Sequence, residues 1–203
     1  MPRSEIMPLW QKFVEDCHNC RACPLGATRT NCVISRGSIQ APVMLIGEGP
    51  GAEEDRQGLP FVGRSGHLLD DLLLALGFEK TDFHIGNIVK CRPPGNRVPT
   101  TEEAEACRPL LGRQFNLVKP KLIVTLGSTA WRWFTRQEGQ ISKIRGQWIK
   151  KGGIELMPTF HPAYVLRNPA ARTLLWDDLA ACYQRLQELR AEARAAAQAG
   201  ADV

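Results

Sequence analysis

The stretch Val43-Met44-Leu45-Ile46-Gly47-Glu48-Gly49-Pro50-Gly51 joins an apolar run to a glycine-rich loop. Apolar residues without polar alternation fit a strand covered on both faces. Comparable runs recur at residues 83–89, 122–126 and 154–160, each followed by polar or glycine-rich sequence. Helical patterns lie between them. Ser65 is placed to cap a run carrying Leu68, Leu69, Leu72, Leu73 and Leu76 that stops at Gly77. Thr100 and Glu103 form a capping box ahead of Cys107, Leu110 and Leu111, and Asn168-Pro169 opens the last helix. Strands alternating with helices predict an α/β protein, a three-layer α/β/α sandwich with a central sheet of about four parallel strands. Ligands of such sheets sit beyond the carboxyl ends of the strands. Chemistry is therefore expected in residues 47–51, 87–96, 127–130 and 161–169.

With 203 residues, 43% hydrophobic and 23% charged, the chain has the make-up of a globular protein with one core. A single domain is expected over residues 1–186. Residues 187–203, dominated by Ala, Arg, Glu and Gln, continue a helix that frays toward Gly200 and carry no chemistry. No apolar run approaches the roughly 20 residues that cross a bilayer. The first thirty residues hold Glu5, Glu15, Asp16 and three cysteines rather than a signal-peptide core, so a cytoplasmic protein without a membrane partner is expected. A formal charge of +5 and a pI near 8.9 fit a partner bearing phosphates.

Seven cysteines in a chain of this kind point to a metal or cluster rather than a disulfide framework, because cytosolic thiols stay reduced. Cys20 and Cys23 form a C-x2-C pair, and Cys91 and Cys107 a distant pair, the second member on the capped helix. Structural zinc sites take two tight knuckles, whereas an iron-sulfur cluster tolerates wide loops between its four thiolates. Two readings stand on spacing alone: a four-cysteine site, or Cys91 and Cys107 as buried apolar residues. Cys17 makes a rival pair with Cys20, so spacing also leaves open which two of the three ligate. Cys32 is left over, and Cys182 sits in a helical pattern as a core residue.

Residues 47–52 satisfy G-x-G-x-x-G/A, so a dinucleotide loop must be weighed. Such a loop runs straight into a helix, whereas here Glu53, Glu54 and Asp55 lead to Gly58 and Pro60 and the helix is expected only at Ser65. Glu48 would also set a carboxylate against phosphate. Residues 58–65 mimic a Walker loop with Arg64 in place of the lysine its chemistry requires. No nucleotide cofactor is expected.

Four motifs in order, Gly47-Glu48-Gly49-Pro50-Gly51, Gly58-Leu59-Pro60-Phe61-Val62-Gly63-Arg64-Ser65-Gly66, Asn87-Ile88-Val89-Lys90-Cys91-Arg92-Pro93-Pro94 and His161-Pro162-Ala163-Tyr164, resemble the family 4 uracil-DNA glycosylases over residues 17–185. The resemblance implies a [4Fe-4S] cluster on Cys20, Cys23, Cys91 and Cys107, since the family's pair is followed closely by leucine, as in Cys23-Pro24-Leu25. It implies a monomer that acts on uracil-containing DNA in base excision repair. Excision needs donors at the departing base and negative charge near the sugar, on a nucleotide first rotated out of the duplex. His161 would donate to uracil O2. Asn87 would offer a donor to O4 and an acceptor to N3-H. Phe61 would stack on the base, and backbone near Gly49 and Pro50 would approach it. Glu48 would orient water or favour the sugar's charge, with Glu54 as substitute or helper. Ser65, Arg92, Arg97, Arg167 and Arg172 are candidates for DNA contacts. A related branch bonds covalently to DNA through a histidine in an inserted loop. Residues 91–101 read CRPPGNRVPTT, without histidine or insertion, so hydrolysis with turnover is expected. Monofunctional excision is expected, without the lyase step that a Schiff-base lysine would bring. The alternative is an iron-sulfur protein that binds uracil-DNA without turnover.

Overall fold

The computed structural model describes residues 3–199, apart from the Lys151 side chain. Its strands are β1 (Arg36–Gly37), β2 (Val43–Gly47), β3 (Phe83–Asn87), β4 (Leu122–Leu126), β5 (Ile149–Lys151) and β6 (Ile154–Thr159). They form one sheet in the order β1-β3-β2-β4-β6-β5. The four central strands are parallel, as expected from the apolar runs. The short edge strands β1 and β5 run antiparallel to their neighbours. β5 turns into β6 through Gly152 and Gly153, both at positive φ, the conformation a two-residue hairpin requires.

The helices are α1 (Arg3–Asn19), α2 (Leu25–Thr28), α3 (Ala52–Gln57), α4 (Arg64–Leu76), α5 (Thr101–Val118), α6 (Ser128–Thr135), α7 (Ile141–Ile144), α8 (Pro162–Arg167) and α9 (Arg172–Ala199). Alternation along the strands sorts them into two outer layers. Val43, Leu45, Leu122, Val124 and Met157 pack with Leu69 and Leu73 of α4 and Leu175 and Leu179 of α9. Met44, Ile46 and Ile123 point the other way, onto Ala104, Cys107 and Leu111 of α5 and Ala130 of α6. α1 adds Phe13 and Cys17 beside Cys32 and Ile34.

Three local expectations need correction. A helix does follow the glycine-rich loop directly: α3 starts at Ala52, with Gly51 as its N-cap. Its sequence AEEDRQ shows no apolar stripe, which hid it, and it forms because the Glu54 carboxylate accepts the Gly51 N–H. Ser65 is not a cap either. Gly63 is the N-cap of α4, and Ser65 lies in its first turn. Asn168-Pro169 opens a short 3-10 turn, after which α9 begins at Arg172. α9 runs unbroken through residue 186 to Ala199, with Arg185 bonded to Glu155 and Arg190 to Asp82. The fraying expected toward Gly200 lies outside the described residues. No helix among them is long and apolar enough to cross a membrane.

Candidate active site and cysteine site

A cavity of about 530 Å³ opens where β2, β3, β4 and β6 end. Glu48, Gly49, Pro50, Phe61, Ser65, Asn87, Arg97, His161 and Arg167 all line it. Arg92 and Arg172 do not. Arg92 donates to Asn96 Oδ1 at 2.7 Å, and Arg172 is an exposed residue at the start of α9.

Asn87 ends β3 and is 1% exposed, yet its Oδ1 has no hydrogen-bond partner. A buried acceptor left open costs about 1 to 3 kcal/mol, so the side chain is stored in a form that a ligand donor would relieve. Gly47 makes room for it. A Cβ there would lie 2.5 Å from Asn87 Oδ1 and 2.6 Å from Phe61 Cζ. Phe61 is buried at φ 55°, a strained conformation for an aromatic residue. Gly66 permits it, since a Cβ at residue 66 would lie 1.9 Å from the Phe61 carbonyl oxygen. The Phe61 ring stacks on His161 with centroids 5.6 Å apart and planes at 27°.

His161 follows β6 and is the N-cap of α8, its Nδ1 accepting the Ala163 N–H at 3.0 Å. Burial, with help from the positive charge of Arg167, pulls its pKa down to about 4, so the ring is neutral near pH 7. With Nδ1 occupied as acceptor, the single ring proton belongs on Nε2, which is thereby a donor. Behind it, Thr159 donates to Asp178, which also takes both Arg145 nitrogens at 2.9 and 2.6 Å. The Arg145 guanidinium lies 5.8 Å from the centroid of Phe160.

The two glutamates of the loop have different surroundings. Among the described residues the half-buried Glu48 carboxylate, lining the cavity, has no hydrogen-bond or ion-pair partner. Glu54 accepts three backbone N–H groups: Gly51 at 3.1 Å, Val62 at 3.0 Å and Gly63 at 2.9 Å. It clamps the glycine-rich loop to the segment carrying Phe61. It also places a carboxylate where the α3 amino end would otherwise meet an anion. Arg97 is held in a two-pronged pair with Glu103 at 2.8 and 2.6 Å.

Cys20, Cys23, Cys91 and Cys107 line a second, small cavity together with Arg29 and Lys90. Cys17 does not line it. Arg29 donates to Cys91 Sγ at 3.0 Å. The Gly26 N–H donates to the Cys23 carbonyl oxygen at 3.1 Å, closing the turn that leads from the pair into α2. A Cβ on Gly26 would lie 2.9 Å from the Cys20 carbonyl oxygen, so glycine is needed for α2 to pack against the pair. Among the described residues no three His, Cys, Asp or Glu side chains are gathered as for a single ion. The sulfurs surround a cavity instead. Sequence reading missed Arg29, the clamp by Glu54 and the Asp178 network, because their partners are distant in the chain. Glu54 three residues after Gly51, able to accept the Gly51 N–H as the glutamate of a capping box does, was the one local signal available.

The fold and site define a class: a family model described as "Uracil DNA glycosylase superfamily" matches residues 34–183, and the chain belongs to that superfamily. Within it, the chain groups with the type-4 enzymes. It is 45% identical over 170 residues to the type-4 uracil-DNA glycosylase of Thermotoga maritima, covering 82% of this chain and 86% of the relative. The type-4 enzyme of Sulfurisphaera tokodaii is 40% identical over 188 residues, 88% of this chain and 84% of its own. That of Pyrobaculum aerophilum is 42% identical over 178 residues, 84% and 91% of the two.

Proposed function

We propose that the protein is a monofunctional uracil-DNA glycosylase that hydrolyses the N-glycosidic bond of flipped-out deoxyuridine in single- or double-stranded DNA and leaves an abasic site. The unpartnered Asn87 Oδ1 carries this reading. It can accept uracil N3-H while Nδ2 donates to O4, whereas cytosine has no N3-H and presents an amino donor at position 4. Phe61, already fixed over His161, offers a face for the base. The neutral His161 donates from Nε2 to O2 as negative charge grows on the departing base, an interaction of about 3 to 4 kcal/mol in comparable sites. Water adds to the sugar carbon as the bond to nitrogen breaks, and the base leaves with the bonding pair. Glu48, free of other partners, is the carboxylate that orients this water or offsets the sugar's positive charge. Glu54 is assigned a positioning role. Ser65, Arg167 and the exposed side of Arg97 face the cavity and serve the DNA backbone, with Arg92 and Arg172 further out.

The cysteine site fits a [4Fe-4S] cluster. Four thiols line one cavity, and a guanidinium on Cys91 offsets thiolate charge. When bound, the cluster would supply iron-sulfur cross-links joining the amino-terminal segment to the loop after β3 and to α5. The protein would act as a cytoplasmic monomer without a nucleotide cofactor. The test is release of free uracil from a uracil-containing oligonucleotide in excess over enzyme. Multiple turnovers support the reading. Tight binding without release would replace it with a uracil-DNA-binding protein.

A further inference from the structure

Lys90 has no part in the chemistry above, yet it touches both sites. It is 1% exposed, and its Nζ donates to the Asn87 carbonyl oxygen at 2.8 Å and to Gln114 Oε1. Gln114, fully buried on α5, places its Nε2 2.8 Å from His84 Nε2 and 3.3 Å from the Ile34 carbonyl. His84 Nδ1 lies 3.0 Å from the Ser38 carbonyl. With Nδ1 donating to that carbonyl, His84 Nε2 is the acceptor of the Gln114 amide, so donors and acceptors alternate along the row. Gly86 makes this possible, since a Cβ there would lie 3.1 Å from Gln114 Nε2. On its other side Lys90 lines the cysteine cavity beside Cys107 and precedes Cys91 in the chain.

We propose that Lys90 is a positioning residue that fixes the end of β3, and with it the Asn87 amide, and that it makes the geometry of the uracil pocket depend on the cysteine site. The inference rests on the role given to Asn87 above. Asn87 is the last residue of β3, and the peptide unit that joins it to Ile88 is held from two sides, its N–H on the Gly47 carbonyl at 2.9 Å and its carbonyl on Lys90 Nζ at 2.8 Å. Its Oδ1 has no protein partner to orient it. The Lys90 bond therefore completes the restraint on the Asn87 peptide unit, and through it on the direction of the side chain, before substrate arrives.

A double-mutant cycle on the cluster-loaded protein tests this, with single-turnover uracil excision and cluster absorbance per chain both measured. Lys90→Met is expected to slow the chemical step about tenfold or more, with less than about threefold change in the DNA concentration for half-maximal rate. In an Asn87→Ala background the same change should cost less than about twofold, because the group it positions is gone. Equal losses in both backgrounds, or no loss in the first, overturn the proposal. Should Lys90→Met fail to fold or to take up the cluster, Gln114→Leu repeats the cycle from the side away from the cysteines with the same expected non-additivity. Failure of the unsubstituted protein to excise uracil would instead remove the functional reading itself.

Discussion

Glu54→Gln separates a clamp from a catalyst. Glu54 Oε1 accepts the Val62 and Gly63 N–H groups and Oε2 accepts that of Gly51. Glutamine can keep one oxygen on the Val62 and Gly63 pair, but its amino group would then face the Gly51 N–H, donor against donor. One charge-assisted bond is lost and the other two lose their charge. At about 1.5 to 3 kcal/mol for each bond to a charged group, a net loss of about 2 to 4 kcal/mol is expected. For a chain of this length that lowers Tm by roughly 5 to 15 °C. Activity should fall as well, since Phe61 is held in its strained conformation by the same segment, but well below the effect of losing a catalytic group. Thermal unfolding and single-turnover excision on the same preparation decide the matter. Glu48→Gln is the control: with no protein partner for Glu48, Tm should stay within about 2 °C while excision slows by about tenfold or more. If Glu54→Gln kept the original Tm and abolished excision, Glu54 would be the water-handling carboxylate and the clamp argument would be wrong.

Other substitutions probe the pocket and the cysteines. His161→Ala should slow excision by about 10² to 10³-fold, the loss typical of one oxyanion donor, with DNA affinity nearly unchanged. Because the His161 pKa lies at about 4, the excision rate should show no histidine limb between pH 7 and 5, and a midpoint near 6.5 would contradict the neutral donor. His84 is likewise held at about 4 by burial, while an unfolded histidine titrates near 6.5. Between these values the unfolded chain binds the extra proton, so each of the two histidines lowers stability by at most about 1.4 kcal/mol per pH unit as pH falls. Urea midpoints at pH 7.5 and 5 should register the loss, and a difference between the two pH values no smaller in His84→Gln would count against it. Cys107→Ala should lose most cluster absorbance, whereas Cys17→Ala should keep it, and equal loss in both would reopen the choice of ligands.

The sheet was legible chiefly through β2 and β4, buried along their whole length and written as the runs VMLIG and LIVTL, whereas β3 carries His84 and β6 starts half-buried with Glu155. Asn87 and His161 fell in segments expected to carry chemistry, where a parallel sheet presents its ligand site, but it was the resemblance of their motifs that gave them roles. The edge strands were harder, since two or three residues carry no period, although Gly152-Gly153 was a readable hairpin signal. Local pattern failed for polar residues whose work is to hold others. Glu54 reaches residues 62 and 63, Lys90 reaches Gln114, and Asp178 reaches Arg145 and Thr159. Each bond depends on a path through the fold that spacing does not encode. Such residues also belong to a different class of experiment from Asn87 and His161. Removing a group that touches the base alters the reacting atoms, while removing one of these alters where those atoms stand. Its effect should therefore vanish once the group it positions has been deleted, a result that catalytic groups acting independently at the same site would not give.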